Sequence, residues 1–369
     1  MDTTVLSGLE LIKWQGQFTR EYIRDSGFSP YMGDSVNDII SVKNDLKGDG
    51  YTIRIPFLKA AKSAGVSGSQ RLSGAEEAAD QYYQDISWEF YRNAFEISKK
   101  EREKSAVDLV AAFRPMLREW CAQKIKYQIV DRLHAMNGVS YTSAQEVADK
   151  DAWVTANVDR VLFGANVANY STDHSAALGA IDSNDKLTPS VAMLAKRLAR
   201  KARPYIRPFR TGTQGREFFV MFCHPLCFRD LKADSTMTAA NRDARPRDVD
   251  SNPLFQDGDL IYDGIIFREI PEFYQPLDPS QTVNTATTLV GAGNSVDVGV
   301  NFLCGAQALG YVNKQAATPV TKKEDDYGFF SGVGIEMAHG IEKLTWNNGA
   351  DVRKDVGIFT VYAAAAADA

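Results

Sequence analysis

The sequence predicts an α+β fold in which a rigid body carries extended arms. Three stretches point there. Phe218 to Cys223 is a run of apolar residues beside the turn TGTQG. It is too short for an isolated helix and reads as a strand buried on both faces. Leu109, Phe113, Leu117, Cys121, Ile125, Ile129 and Leu133 recur every four residues, the mark of a long helix with one apolar stripe. Residues 50–98 alternate apolar and polar positions on either side of a Gly/Ser-rich middle, as one long hairpin would.

At 369 residues, with 44% hydrophobic and 24% charged content, the chain can bury a sizeable core. A net charge of −5 argues against a dedicated nucleic-acid binder. Cys121, Cys223, Cys227 and Cys304 read as buried thiols of a reducing compartment, not as a disulfide framework. No apolar run nears the ~20 residues needed to span a bilayer, and no signal-peptide pattern opens the chain. A soluble protein made in a cytoplasm, without a membrane partner, is expected.

Taken in order, residues 1–45 carry Trp14, Phe18, Tyr22, Phe28 and Tyr31, an aromatic-rich segment that docks on its own domain or on a neighbouring subunit. In the hairpin, Tyr51, Ile53 and Ile55 form one face of a strand ending at Pro56, and Ser63 to Gly74 forms an exposed tip. The return strand sets Ile86, Trp88 and Phe90 on one face. Its parity then switches to Phe95 and Ile97, which predicts a bulge near Asn93. A two-stranded arm of this length is marginal alone in water and needs a partner.

The long helix is expected over 101–136, kinked or broken near Pro115 and stopped by Asn137-Gly138. A shorter helix with Val147, Trp153, Val158 and Val161 follows over 143–163, then a linker from Tyr170 to Asn184. Leu187 to Ala202 reads as a basic amphipathic helix. Its Lys196, Arg197, Arg200 and Lys201, with Arg203 beyond, suit a solvated face or intersubunit ion pairs, and less commonly phosphate.

From Tyr205 to Glu272 the chain builds a domain centre: the buried strand, a helix over LCFRDLKAD, and a second strand from Ile261 to Phe267. Gln275 to Asn301 reads as a surface loop, and its VGAG lacks the setting of a dinucleotide loop. A buried small-residue segment (NFLCGAQALGYV), a charged loop at Lys322 to Asp326, and strands at Gly334–Leu344 and Val356–Tyr362 complete the body. The Ala-rich end reads as frayed.

No catalytic motif emerges. His134, His174, His224 and His339 lie far apart without metal-ligand spacing. Cys223, His224 and Cys227 come nearest to a cluster, but buried thiols beside a strand-terminating His-Pro fit them better. There is no GxSxG, Walker loop or paired-carboxylate motif, so no catalytic residue, metal or cofactor is expected.

Five pieces in order then carry a resemblance: RLSGAEEAADQYYQDISWEFYRNAFEI (71–97), the long helix ending in LHAMNG, FFVMFCHPLCFRDLKAD (218–234), NPLFQDGDLIYDGIIFREI (252–270) and NFLCGAQALGYV (301–312). Together they resemble the major capsid proteins of tailed bacteriophages, within the branch that includes the phage N4 coat protein. The resemblance implies an N-terminal arm (1–49), an E-loop hairpin (50–98), and a peripheral domain (99–204) with spine helix 101–136. It further implies an axial domain (205–345), last strands returning over 331–362 to the peripheral domain, and a flexible tail (363–369).

The implied function is structural. Subunits assemble as hexamers and pentamers into an icosahedral shell around double-stranded DNA in the virion, with portal, scaffolding and decoration proteins as partners and nonspecific DNA contact. Trp14, Phe18 and Tyr22 of the arm and Ile86, Trp88 and Phe90 of the hairpin are the expected intersubunit contacts, with Gly48, Gly50 and Gly74 as hinges. Two alternatives stay open: a shell of the same fold around cargo proteins, as in encapsulin compartments, and a soluble enzyme using dispersed residues.

Overall fold

The structure is a computed structural model that describes residues 28–43, 52–58, 63, 65–77, 81–104, 109–143, 145–211, 216–243, 260–273, 296–325, 329–346 and 353–366. Trp14, Phe18, Tyr22, Gly48, Gly50 and the VGAG stretch lie outside them. A 3-10 turn at Ser29–Tyr31 leads into β1 (Met32–Gly33) and β2 (Ile40–Lys43). Phe28 and Tyr31 set their rings edge-on against Phe222, at 5.0 and 5.7 Å between centroids, so this part of the chain docks on its own body.

β3 (Thr52–Leu58) pairs antiparallel with β4 (Gln81–Ser87). Pro56 sits inside β3, not at its end, as an edge strand permits. β5 (Glu89–Ser98) leaves this hairpin at Trp88 and joins another sheet. Its register there runs unbroken from Glu89 to Ser98, so the expected bulge at Asn93 is absent. The parity switch falls at Trp88, where the chain changes sheets.

α1 (Lys99–Lys104) and α2 (Leu109–Leu133) replace the single expected helix. Pro115 lies inside α2, which runs on through it. Leu117, Cys121, Ile125, Ile129 and Leu133 are buried as the four-residue spacing requires, whereas Met116 is exposed. The helix stops before Asn137-Gly138. Those two residues, at φ 50 and 81, make a tight turn that joins Met136 to Val139 through a pair of backbone hydrogen bonds.

α3 (Val147–Ala156) is shorter than expected: Trp153 is buried, Val147 and Val158 are exposed, and Val161 opens β6 (Val161–Phe163). The expected linker contains α4 (His174–Gly179), capped by Asp173 and burying His174, Ala177 and Leu178. α5 (Pro189–Lys201) is the basic amphipathic helix, with Thr188 at its N-cap and Val191, Ala192, Ala195 and Ala199 buried.

β7 (Phe209–Thr211) and β8 (Arg216–Cys223) follow. Phe219, Met221 and Cys223 of β8 face one core cluster, together with α5, while Val220 and Phe222 face the other, with α2. His224 ends the strand and caps α6 (Pro225–Ala233), accepting the Leu226 N–H at 3.3 Å; α7 (Ser235–Asp243) follows. The expected single strand at 261–267 is a hairpin, β9 (Leu260–Tyr262) and β10 (Ile265–Glu269), turned by Asp263 and Gly264 at φ 46 and 69.

β11 (Val298–Cys304) and β12 (Leu309–Asp325) divide the expected small-residue segment between two sheets, and β12 absorbs most of the expected charged loop. β13 (Phe330–Lys343), β14 (Thr345–Trp346), β15 (Lys354–Asp355) and β16 (Ile358–Ala364) complete the chain. One sheet runs β1-β2-β12-β13-β5; the other runs β6-β16-β11-β8-β10-β9, with β7 on β8.

This partition cuts across the expected domain boundaries. β5, given to the hairpin arm, shares a sheet with β12 and β13, given to the axial domain; β6 shares its sheet with β8 and β11. The tail is also different: Ala363, Ala364 and Ala365 are fully buried, and the Ala365 N–H donates to Asp297 O at 2.7 Å. A Cβ added at Gly299 would lie 2.7 Å from Cys227 Sγ and 3.2 Å from the Ala365 methyl, so glycine at 299 and alanine at 365 suit this close approach.

Candidate interaction surfaces

The β3-β4 hairpin is anchored at its base by its own chain. Ile86 is fully buried in a small cluster with Phe57, Val312, Leu344 and Val356. Trp346 packs edge-on against Phe57 and Tyr82, at 5.5 and 5.9 Å, and Thr345 Oγ1 donates to Gln84 Oε1 at 2.7 Å. Midway, Arg54 makes a two-pronged ion pair with Asp85, at 2.7 and 2.8 Å, and lies over the Tyr83 ring. Far from the base, Leu58 and Leu72 are exposed.

Ile86, Trp88 and Phe90 therefore do not share a face. Ile86 belongs to the chain's own core, which corrects the expectation that it meets another subunit. Phe90 is 54% exposed and carries the half-buried Trp88 ring at 5.3 Å, with the Lys314 ammonium 5.8 Å from the indole.

Phe90 also opens a shallow trough of about 820 Å³ on the outer face of the β5-β12-β13 sheet. Its floor is Ala94, Gly332 and Gly334, its far rim includes Val320, and Lys322 pairs with Glu96 at 2.8 Å. Added Cβ atoms at Gly332 and Gly334 would stand 3.1 Å from the Phe95 carbonyl oxygen and the Ala94 methyl. The glycines leave backbone bare for close approach. The GVG at 332–334, inside a strand, was the available and unused signal.

Beneath the opposite side of this sheet lies a polar cleft of about 350 Å³ lined by Lys124, Gln128, Asp131, Arg132, His339 and Glu342. His339 is sandwiched by Tyr91 and Tyr311, at 4.8 and 5.7 Å, and its Nε2 meets Gln128 Oε1. Burial pushes the His339 pKa down to about 3 and raises that of Glu342, which Arg132 approaches at 3.1 Å. The groups are spent on one another.

Cys223, His224 and Cys227, expected as buried thiols beside a strand-terminating His-Pro, are buried at the end of β8 and the start of α6. The His224 N–H donates to Asn301 Oδ1 at 2.9 Å, and burial pushes the Cys227 thiol up to about 12 and Cys223 well above its usual range. Among the described residues no group of three His, Cys, Asp or Glu could hold a metal ion, and no helix is long and apolar enough to cross a membrane.

The family described as "Phage capsid protein" matches the chain over residues 2–367. The chain belongs to it. The major capsid protein of Pseudomonas phage KPP25 is 27% identical to this phage capsid protein over 374 aligned positions, 95% of this chain and 94% of that one. The capsid subunit of cyanophage Pam1 superposes with a TM-score of 0.83 at 32% identity, covering 94% of both chains. The capsid of Ralstonia phage GP4 shares the fold at a TM-score of 0.68 and 17% identity, over 93% and 92%. The fold is that of tailed-phage major capsid proteins. These relatives do not bear on the narrower resemblance to the phage N4 coat protein.

Proposed function

We propose that this phage capsid protein is the major structural subunit of a virion shell, assembling as hexamers and pentamers around double-stranded DNA. The full-length likeness to the Pam1 capsid subunit carries the reading. The hairpin β3-β4 is the E-loop: anchored at its base by Ile86, it presents Leu58 and Leu72 to a neighbouring subunit. Trp88 and Phe90 line the body against which such an arm lies, and Trp14, Phe18 and Tyr22 strap another neighbour. Each contact is modest; a closed shell multiplies them, so assembly is steep in protein concentration.

Hexamer and pentamer require the same chain to flex, with Gly48, Gly50 and Gly74 as the hinges; Gly74 stands at φ +90. Portal, scaffolding and decoration proteins complete the particle, and DNA contact is nonspecific. The role is structural, not catalytic. Electron microscopy of the expressed chain, with and without neighbouring phage proteins, tests this. Closed shells that copurify with nucleic acid are expected. Shells holding a single enzyme would favour a cargo compartment, and a small monodisperse oligomer would sink both. Deleting Ser63 to Gly74 should spare subunit folding and disturb shells.

A further inference from the structure

We propose that the arginine cluster at the C-terminal end of α5 is the surface of the subunit that meets the phosphate backbone of double-stranded DNA. The inference rests on the reading of the chain as a shell around DNA, and it names the face that looks inward.

The chain is net negative, yet cations crowd this place. Arg200, Arg207 and Arg210 line a cleft of about 570 Å³ beside Tyr205, which is 64% exposed. Arg200 and Arg210 both reach Glu217, at 3.7 and 3.0 Å, so one carboxylate serves two guanidiniums. Those two side chains stay 53% and 59% exposed. Arg197 and Lys201, also exposed, lie within one or two turns of α5, and among the described residues neither they nor Arg207 has a carboxylate at ion-pair distance.

Helix-end complementation accounts for Arg200 and Lys201, which stand in the last turn. It does not account for Arg207 and Arg210, which follow the helix on an extended segment. A protein docking face would need an apolar centre. Here the cleft's Ile206 is fully buried and Tyr205 is its one exposed large apolar side chain, so mainly guanidiniums and the Tyr205 phenol, beside the shared Glu217 carboxylate, meet a partner. Those are the groups that hold nucleic-acid phosphates without reading sequence.

Binding of this kind is weak and salt-sensitive. Three neutralised phosphates give a slope of about −2.7 in log K against log salt, about a 40-fold loss between roughly 50 and 200 mM. A packaged genome would touch the wall at these arginines yet stay free to move.

Fluorescence anisotropy of a short DNA duplex with dissociated full-length subunits tests the assignment. Replacing Arg200, Arg207 and Arg210 together by Gln should weaken low-salt binding at least roughly tenfold and flatten the slope by about 2.7. Arg197→Gln with Lys201→Gln should move both readouts the same way, so a folding defect in one variant does not decide. Glu217→Gln should tighten binding. Equal affinity and slope in all variants, or no wild-type binding at low salt, would overturn the proposal. So would an acidic peptide that binds these arginines as tightly as the duplex, since the partner would then be protein. Normal wild-type shells with variant-independent DNA binding would remove this assignment alone, whereas absence of shells would remove the capsid reading.

Discussion

Lys343 donates to Asp355 across 3.1 Å with the two side chains only 5% and 2% exposed. The lysine also donates to the Ala135 carbonyl at 3.0 Å and lies over the Trp153 ring, while Trp153 Nε1 donates to Asp355 at 3.3 Å. The pair thus ties the end of β13 to α3, β15 and the chain just past α2. Two charges out of water are tolerable only together, so losing one is worse than losing both. Asp355→Ala is expected to cost about 3–5 kcal/mol by stranding the ammonium. Lys343→Met with Asp355→Leu should cost much less. Urea unfolding of dissociated subunits across the four-variant cycle measures this, and additive losses would show the two residues uncoupled.

Gly340 sits where β13 passes the junction of hairpin and sheet. A Cβ there would collide with the Ser87 carbonyl oxygen, 2.9 Å from its carbon and 3.2 Å from Trp88 Cα. Backbone cannot rotate aside as a side chain can. Gly340→Ala should therefore abolish soluble, folded subunits or lower their thermal midpoint severely. Gly65→Ala is the contrast: φ is +69 but nothing lies within 4 Å, so only the ~1–2 kcal/mol of a left-handed alanine is expected. Equal effects from the two variants would contradict the steric argument.

All four histidines are buried, and burial pushes their pKa values down, to about 3 for His134 and His339 and about 4 for His174 and His224. Lys343 near His134 and Lys124 near His339 act in the same direction. The folded values lie below the unfolded value of about 6.5, so the stability they contribute is complete above that pH. It is lost as pH falls through 6 toward 4, at up to ~1.4 kcal/mol per pH unit for each ring. Glu342 works the other way: its raised pKa makes burial less costly as pH falls. Urea midpoints of subunits should drop steadily from pH 7 to pH 4 (about the window set by these shifts). A flat profile would show that the rings accept protons without loss of structure.

How much of this was legible depended on whether a signal is local. The α2 stripe from Leu117 to Leu133 was readable because a helix repeats its burial within its own sequence. β8 was readable because residues buried on both faces need no partner to be recognised. Trp88 was not: alternation continues on either side of it, and only the pairing partner reveals that β4 and β5 belong to different sheets. Asp263-Gly264 carried a hairpin signal, but the apolar residues on both sides read as one strand. The alanines at 363–365 look like a frayed end by composition. Their burial is decided by Gly299 and Asp297, more than sixty residues away. The trough over Gly332 and Gly334 depends on three strands meeting, which no single segment records.

Ile86 and Phe90 are four residues apart and are expected to fail differently. Ile86 is fully buried among Phe57, Val312 and Leu344, so Ile86→Ala should destabilise the isolated subunit by about 2–5 kcal/mol. Phe90 has half its surface in solvent at the mouth of the trough, so Phe90→Ala should shift subunit stability by no more than about 0.5 kcal/mol. On the proposed arm contact, its effect should fall on assembly, where an exposed aromatic side chain would gain burial from the neighbouring subunit. Unfolding of dissociated subunits, set beside the protein concentration at which shells form, separates the two. Ile86→Ala should move the first measurement and Phe90→Ala the second. A Phe90→Ala chain that assembles at the wild-type concentration would remove Phe90 from the intersubunit contact.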